Sequence, residues 1–187
     1  MGMDLAIEPF ATDTPELLAA ARVYYMVWGE VDGLSYVDAV TNISRHSRYP
    51  AFRGLLARVG AGGTVLGMVY GHTSRPGQWW HDRVAPSLPP EYADWLDDCL
   101  VVVELAVRGS YRRRGVGRAL LREIQRDRPE ARAALSTERD NVAGRALYAA
   151  EGWQTLVESM RFAPGTPEYL ILGRTLGGPV SPRAPWR

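Results

Sequence analysis

Strands alternating with helices are predicted by the order of apolar and polar residues along the chain. The run Cys99 to Val107, CLVVVELAV, is apolar at every position except Glu104, a pattern typical of a central strand that is buried on both faces. An arginine- and glycine-rich segment follows the run. An amphipathic helix comes next, with apolar residues at helical spacing: Val116, Leu120, Leu121 and Ile124. The centre of the chain therefore predicts a strand, a glycine loop and a helix in succession.

The flanking segments add further elements of both kinds. Strands are predicted over residues 5–9, 53–59, 64–72, 131–137, 153–162 and 168–175. Helices are predicted from the Thr14-Pro15 cap to Trp28, over residues 34–45, and from the Asn141 cap to Ala150. Residues 74–98, which contain four prolines and three tryptophans, are too long for an ordinary hairpin loop and are interpreted as a structured insertion or lid.

Length and composition favour one globular domain. The chain has 187 residues, of which 46% are apolar and 23% charged, and its longest apolar run is far too short to cross a bilayer. We expect residues 1–176 to form a single domain and residues 177–187, with three prolines and two glycines, to be a loose tail. The amino-terminal residues show no secretory signal, so a cytoplasmic protein without membrane contact is predicted.

Metal and nucleic-acid chemistry are disfavoured by the residue inventory. The single cysteine, Cys99, cannot form an internal disulfide, and the three histidines have no cysteine partners at ligand spacing, so no metal site is expected. A formal net charge of +1 argues against a general nucleic-acid binder. All 22 basic residues are arginine, which fits a GC-rich genome and hints at a bacterial source.

The charges are unevenly distributed along the chain. Residues 108–132 hold nine arginines against three acids, and residues 82–98 hold five acids against one arginine. The first stretch suits an anionic ligand and the second a cationic one.

The segment Arg112-Arg113-Arg114-Gly115-Val116-Gly117 predicts a pyrophosphate site. Glycines at a strand-to-helix turn let backbone N–H groups converge on phosphate oxygens, the helix start adds partial positive charge, and arginines supply further donors. The spacing matches neither the Rossmann nor the Walker pattern of glycines.

Two motifs resemble one known family. The segment Val103-Glu104-Leu105-Ala106-Val107 followed by Tyr111-Arg112-x-x-Gly115-x-Gly117-Arg118 is similar to the acetyl-CoA motif of the GNAT N-acetyltransferase superfamily. The segment Asn141-x-x-Gly-Arg-Ala-Leu-Tyr148 is similar to that family's next helix. The resemblance covers about residues 99–153. It implies an α/β fold with a mixed central sheet, mostly antiparallel with one splayed parallel pair, flanked by helices.

The resemblance also implies how acetyl-CoA would bind. The backbone of Leu105, Ala106 and Val107 would pair with the pantetheine amides, and Asn141 would contact the cofactor from the next helix. The thioester would lie between the two splayed strands, 99–107 and 131–137. The pyrophosphate would be held by Arg112, Arg113, Arg114, Gly115, Val116, Gly117 and Arg118.

Tyr148 and Glu104 are the candidate catalytic residues. Tyr148 matches the family position that protonates the coenzyme A sulfur, and its alternative role is packing against the sheet. Glu104 is the only ionisable side chain in the core strand, so it is a candidate base for an amine with a pKa near ~10. Its alternative role is to attract or orient a cationic acceptor. Some relatives carry a glutamate in the following strand, where this chain has Ser136.

The expected reaction is direct attack of a primary amine on acetyl-CoA in a ternary complex. The acceptor would be a small-molecule or peptide amine; a homodimer remains open. Candidate acceptor-binding residues are Tyr25, Trp28, Trp80 and Tyr92. The acids of residues 82–98 either attract a cationic amine or form a solvated surface. The alternative function is a degenerate GNAT domain that binds acyl-CoA as a sensor or scaffold.

Overall fold

A seven-stranded mixed sheet is the centre of the computed structural model, which describes residues 4–177 apart from the side chains of residues 30–32. The tail expected over residues 177–187 lies outside the described residues except for residue 177. The strands are β1 (Leu5–Phe10), β2 (Arg53–Val59), β3 (Val65–Thr73), β4 (Cys99–Val107), β5 (Arg132–Glu138), β6 (Gln154–Met160) and β7 (Tyr169–Thr175). The helices are α1 (Pro15–Asp32), α2 (Tyr36–His46), α3 (Trp79–Val84), α4 (Val116–Gln125) and α5 (Val142–Ala150). The predicted elements are therefore present; the sequence pattern missed α3 and the last turn of α1.

The strand order β1-β2-β3-β4-β5-β7-β6 confirms the predicted fold class. Every neighbouring pair is antiparallel except β4 and β5, which are parallel. Their pairing runs from Cys99 opposite Arg132 only to Val101 opposite Ala134. Beyond that point β4 stays paired with β3 and β5 with β7, so the two parallel strands diverge.

A bulge in β4 decides which way Glu104 points. Tyr70 of β3 lies opposite Glu104 while Gly71 lies opposite Val102, which leaves Val103 as an extra residue on β4. A one-residue offset moves the following side chains to the other face of a sheet. Glu104 consequently lies on the face that carries α1, whereas Val102 belongs to the core under α4.

Helices and the insertion cover both faces of the sheet. On one face they form two separate groups. On one face α4 and α5 bury a core that includes Val116, Leu120, Leu121 and Ile124. On the other face α1 and α2 cover β1 to β4, and residues 74–98 cover β5, β6 and β7. At roughly 1.5–3 kcal/mol for each fully buried aliphatic side chain, these interfaces hold the layers in place.

Residues 74–98 are a structured insertion packed against the sheet. They form α3 and two short 3₁₀ turns, and their apolar residues Val84, Trp95 and Leu96 contact Leu156 and Ile171. Trp95 fills the space over Gly173, where an added Cβ would lie 2.7 Å from the indole ring. Its indole N–H donates to the Ala133 carbonyl at 3.2 Å. The insertion therefore has its own core with the carboxyl-terminal strands.

Half-buried His46 predicts a loss of stability at acid pH. Its Nδ1 and the Tyr70 hydroxyl are hydrogen-bonded at 3.1 Å. Burial, followed by the charges of His72 and Arg45, lowers the pKa of His46 to about 4. Because an unfolded histidine titrates near ~6.5, the unfolded chain binds more protons as pH falls from there toward 4, and the folded state is destabilised in that window.

Between pH 7 and pH 5 this effect should lower the free energy of unfolding by about 1–2 kcal/mol through His46. Burial also lowers the pKa values of His72 and His81, which add to the loss over the same interval. Burial raises the pKa of Glu130, but hydrogen bonds from Arg128 and Thr73 lower it by more, and a hydrogen bond from Arg122 lowers the pKa of Glu151, so both carboxylates act only at more acid pH. Urea unfolding at pH 7 and pH 5 measures the difference. The His46→Gln variant should lose clearly less stability over this interval than the wild type, and an equal loss would contradict the assignment.

Candidate active site

A cleft of about 230 Å³ opens where β4 and β5 diverge. Residues of both strands line it, together with residues of α1, α5 and β7. The lining residues are Tyr24, Trp28, Val102, Val103, Glu104, Leu105, Leu135, Ser136, Thr137, Glu138, Asn141, Tyr148 and Tyr169. The structure thus brings Glu104 and Tyr148, the two predicted catalytic residues, into one cleft.

Glu104 is held on the β4 side of the cleft by a tryptophan. The indole N–H of Trp28, from α1, donates to Glu104 Oε1 at 2.9 Å. A hydrogen bond between two half-buried side chains restricts the rotamers of both, so the carboxylate has a defined direction. Trp28, predicted as an acceptor-binding residue, therefore both lines the cleft and orients Glu104.

Tyr148 is buried on the opposite face, with 9% of its surface exposed. Its ring packs against Trp153 with the centroids 5.9 Å apart. Burial raises the pKa of Tyr148, and the negative charge of Glu104 raises it further. The hydroxyl is therefore protonated throughout the usual assay range and can donate a hydrogen bond or a proton into the cleft.

The β5 side of the cleft carries polar residues that the sequence reasoning did not select. Ser136 accepts a hydrogen bond from the Trp80 indole N–H of the insertion at 3.2 Å. Tyr169 of β7 donates through its hydroxyl to Glu138 Oε1 at 3.3 Å. Glu138 was missed because it is the last residue of β5, one position beyond the predicted end of the strand. Among the described lining residues there are two acids and no basic side chain.

Two predicted acceptor residues lie away from the cleft. Tyr25 is 44% exposed and packs edge-on against Tyr36, with the ring centroids 6.4 Å apart. Tyr92 packs against Trp95 inside the insertion, with centroids 5.5 Å apart. Neither is among the residues that line the cleft. Trp80 is not among them either, although its indole N–H donates to Ser136, which does line the cleft.

Two acids of the insertion make contacts at the start of β5, and none of its acids is among the described residues that line the cleft. Asp94 forms a salt bridge with Arg132 at 3.1 Å, and Asp98 accepts a hydrogen bond from the Ala131 N–H at 3.1 Å. These contacts are at the start of β5, where it is still paired with β4. Asp94 and Asp98 thus hold the insertion to the start of β5, and attraction of a cationic acceptor by this acidic stretch stays a prediction.

The glycine loop leaves the start of α4 open to a ligand. Side chains of Thr14, Ser35 and Asn141 cap α1, α2 and α5, whereas α4 begins at Gly115 without a side-chain hydrogen bond. The first N–H groups of a helix need acceptors, and phosphate oxygens serve this purpose well. Gly115 has a φ of 85°, a left-handed conformation that glycine adopts without strain.

The surroundings of Gly117 also favour a phosphate site at the start of α4. A Cβ added there would meet Leu147 Cδ2 at 3.5 Å and Val107 Cγ2 at 3.6 Å, which are ordinary contacts. Protein packing therefore does not require glycine at this position. Close approach of a phosphate to the helix start would require it, so the loop fits the pyrophosphate of coenzyme A.

The predicted cofactor arginines differ in their surroundings. Arg113 and Arg114 are exposed, and the Arg114 guanidinium lies 6.0 Å from the centre of the Tyr111 ring. The Arg112 Nε donates to the Val107 carbonyl at 3.1 Å. The side chain of Arg118 instead pairs with buried Glu151 at 2.9 Å and ties α4 to the end of α5. Only the backbone of Arg118 is thus placed to contribute to the loop site.

The remaining predicted cofactor residues line the β4 and α5 sides. Leu105 lies on β4 beyond the last residue paired with β5, as do Ala106 and Val107, so this edge of the strand is open to an extended ligand. Asn141 accepts from the Gly144 N–H at 3.0 Å and donates to Thr137 Oγ1 at 3.3 Å. Its side chain therefore caps α5 and fixes the helix that carries Tyr148.

Among the side chains that the structure describes, in residues 4–29 and 33–177, no three or more His, Cys, Asp or Glu are arranged for a metal ion. None of the helices described there is both long and apolar enough to cross a membrane.

Comparison with known proteins places the chain in a family. The model of the acetyltransferase (GNAT) family matches residues 17–153. A GCN5-like protein acetyltransferase of Mycobacterium tuberculosis is 33% identical over 122 residues, which span 60% of this chain and 59% of that relative. The chain thus matches somewhat more than half the length of this curated relative.

Solved structures share the fold at low sequence identity. The ribosomal-protein-S18-alanine N-acetyltransferase of Escherichia coli superposes with a TM-score of 0.65 at 18% identity, covering 97% of this chain and 99% of that one. A chain of the NatC complex bound to Gag peptide and CoA gives a TM-score of 0.63 at 16% identity, covering 93% and 99%. The family match over most of the chain and the splayed parallel pair of its sheet lead to one conclusion: this protein belongs to the GNAT acetyltransferase family.

Proposed function

We propose that this protein transfers an acetyl group from acetyl-CoA to a primary amine by direct attack in a ternary complex. The observation that carries the proposal is the presence of an oriented carboxylate, Glu104, and a protonated phenol, Tyr148, in the cleft between the diverging strands. When bound, acetyl-CoA supplies the activated acetyl group and a thiol leaving group. We further propose that residues 1–176 form one acetyltransferase domain.

The loop and the open edge of β4 would hold acetyl-CoA. The uncapped start of α4 directs N–H groups at the diphosphate, and exposed Arg113 and Arg114 add positive charge. The backbone of Leu105 to Val107 would pair with the extended pantetheine. Acetyl-CoA bound in this way would have its thioester between Glu104 and Tyr148.

Glu104 and Tyr148 would each take part in one proton transfer of the reaction. An alkylamine attacks only after it loses a proton, and Glu104 accepts that proton directly or through water, or holds the ammonium before its deprotonation. The Tyr148 hydroxyl donates to the sulfur that leaves. Buried Cys99 does not serve as an acyl carrier, because burial raises the pKa of its thiol and keeps it protonated.

The acceptor proposed here is a cationic amine. The two carboxylates and the absence of basic side chains among the described lining residues give the cleft a negative potential. Trp28 and Trp80, bonded to opposite sides of the cleft, would flank the acceptor.

Initial-rate kinetics test the ternary complex. Acetyl-CoA is varied at several fixed amine concentrations, and double-reciprocal lines that intersect are expected. Parallel lines would indicate a covalent acetyl-enzyme and would contradict direct attack.

Replacing Glu104 by glutamine separates its two candidate roles. We expect kcat/KM for the amine to fall by roughly 10²-fold, the lower end of the range for general acid–base groups. If Glu104 is the base, the fall is in kcat and the acid limb of the pH profile disappears; if it orients the ammonium, the fall is mainly a rise in KM. Wild-type values of both constants would remove Glu104 from the mechanism.

A further inference from the structure

Glu138, on β5, lines the side of the cleft opposite Glu104, which is on β4. The last paired residues of the two diverging strands are Val101 and Ala134, so Glu104 is three positions beyond the divergence and Glu138 four. One of the three positions on β4 is the bulged Val103, which shortens the advance of that strand. Glu138 therefore lies further toward the open end of the cleft, apart from Glu104.

A chain of aromatic contacts holds Glu138 in place. Its cross-strand neighbour Tyr169 donates to Oε1 at 3.3 Å. The Tyr169 ring packs edge-on against Phe162, with centroids 5.0 Å apart, and Phe162 stacks on Trp79 of the insertion at 5.2 Å. Arg83 of α3 adds a hydrogen bond to the Phe162 carbonyl at 2.6 Å. The insertion thus fixes the residue that orients the second carboxylate.

The cleft consequently presents two acids at two depths. Glu104 is the carboxylate near Tyr148, and the negative charge of Glu104 raises the pKa of the Tyr148 hydroxyl. An amine must be neutral when it attacks, so the reacting group itself does not need a second permanent anion. A group that stays positively charged throughout the reaction is the natural partner of Glu138.

We propose that the acceptor is a dicationic amine, in which one amino group reacts beside Glu104 while a second cationic group binds Glu138. This inference rests on the proposed function and narrows its substrate class. Tyr169 is a positioning residue for Glu138, and Phe162 and Trp79 support Tyr169. The second cation can belong to a small diamine or to a basic residue that follows the amino terminus of a peptide.

Matched acceptor pairs test the inference, because the members of each pair differ in the second cation. One pair is 1,4-diaminobutane and butylamine, and the other is glycyl-arginine amide and glycyl-norleucine amide. We expect the dicationic member of at least one pair to have a kcat/KM roughly tenfold or more above its partner, as for one charge-assisted hydrogen bond. The pair that shows the preference identifies the source of the second cation.

Two isosteric variants localise the effect. Glu138→Gln should abolish the preference by raising KM for the dicationic member of the pair, whereas Tyr169→Phe should reduce the preference. Glu158→Gln is the matched control, because it removes the same charge from an exposed position on β6 and should keep the preference.

The possible outcomes distinguish failure of the dicationic-acceptor inference from failure of the proposed function. Equal kcat/KM within both pairs, or a preference that survives Glu138→Gln, would overturn the inference and leave the proposed function standing. If the protein acetylates no amine at all, the proposed function fails and the inference fails with it.

Discussion

Replacing Tyr148 by phenylalanine is expected to lower kcat by roughly 10²–10⁴, the range for loss of a general acid, with little change in affinity for acetyl-CoA. The variant keeps the ring that packs against Trp153 and removes only the hydroxyl. Because burial and Glu104 raise the pKa of Tyr148, the hydroxyl is the protonated donor at every pH of a usual assay. Steady-state kinetics and calorimetry with acetyl-CoA measure the two quantities.

The matched control is Tyr92→Phe, which removes a tyrosine hydroxyl inside the insertion and outside the cleft. It should retain wild-type turnover. Wild-type turnover in Tyr148→Phe itself would mean that water or another group delivers the proton to sulfur.

Replacing Gly117 by glutamate is expected to abolish binding of coenzyme A. The new side chain would start at the first turn of α4 and place a carboxylate where the N–H groups of the helix start should meet phosphate. The fold should survive, because a Cβ at this position makes only ordinary contacts with Leu147 and Val107. Calorimetry with coenzyme A measures the loss, and thermal unfolding shows whether the variant is folded.

Gln125→Glu is the control for charge. It adds the same carboxylate to α4 about 12 Å along the helix from Gly117, next to Arg174, which already donates to Gln125 at 3.2 Å. Coenzyme A should bind this variant normally. Unchanged affinity in a folded Gly117→Glu variant would show that the loop is not the pyrophosphate site.

The loop and the elements around it could be predicted because their signals are local. The apolar run of β4, the glycines before α4 and the helical spacing of Leu120, Leu121 and Ile124 each depend on neighbours in the chain. The same holds for the caps at Thr14 and Asn141. Strand boundaries agree with the structure to within about two residues.

The wall of the cleft formed by β5 and β7 could not be predicted in the same way. Glu138 and Tyr169 meet only because their strands pair, and they border a cleft only because β5 leaves β4 after Ala134. The orientation of Glu104 depends on the bulge at Val103, which the apolar residues around it do not reveal. These are tertiary features with no period along the chain.

The structure of the insertion, residues 74–98, could not be predicted from local signals either. Its short helix and 3₁₀ turns have no hydrophobic period, and its acids resemble a ligand-binding cluster when read in order. Asp94 is instead the salt-bridge partner of Arg132, 38 residues away in sequence. The order of charges along the chain therefore did not reveal that Asp94 is paired with a distant arginine.

Release of thiol from acetyl-CoA, measured with and without each amine of a panel and with the product identified by mass spectrometry, tests the central claim most directly. If the proposed function is correct, thiol release depends on the amine and is matched by an equal amount of N-acetylated product. A folded protein that binds acetyl-CoA and releases no thiol with any amine would contradict it and favour a domain that binds acyl-CoA as a sensor or scaffold.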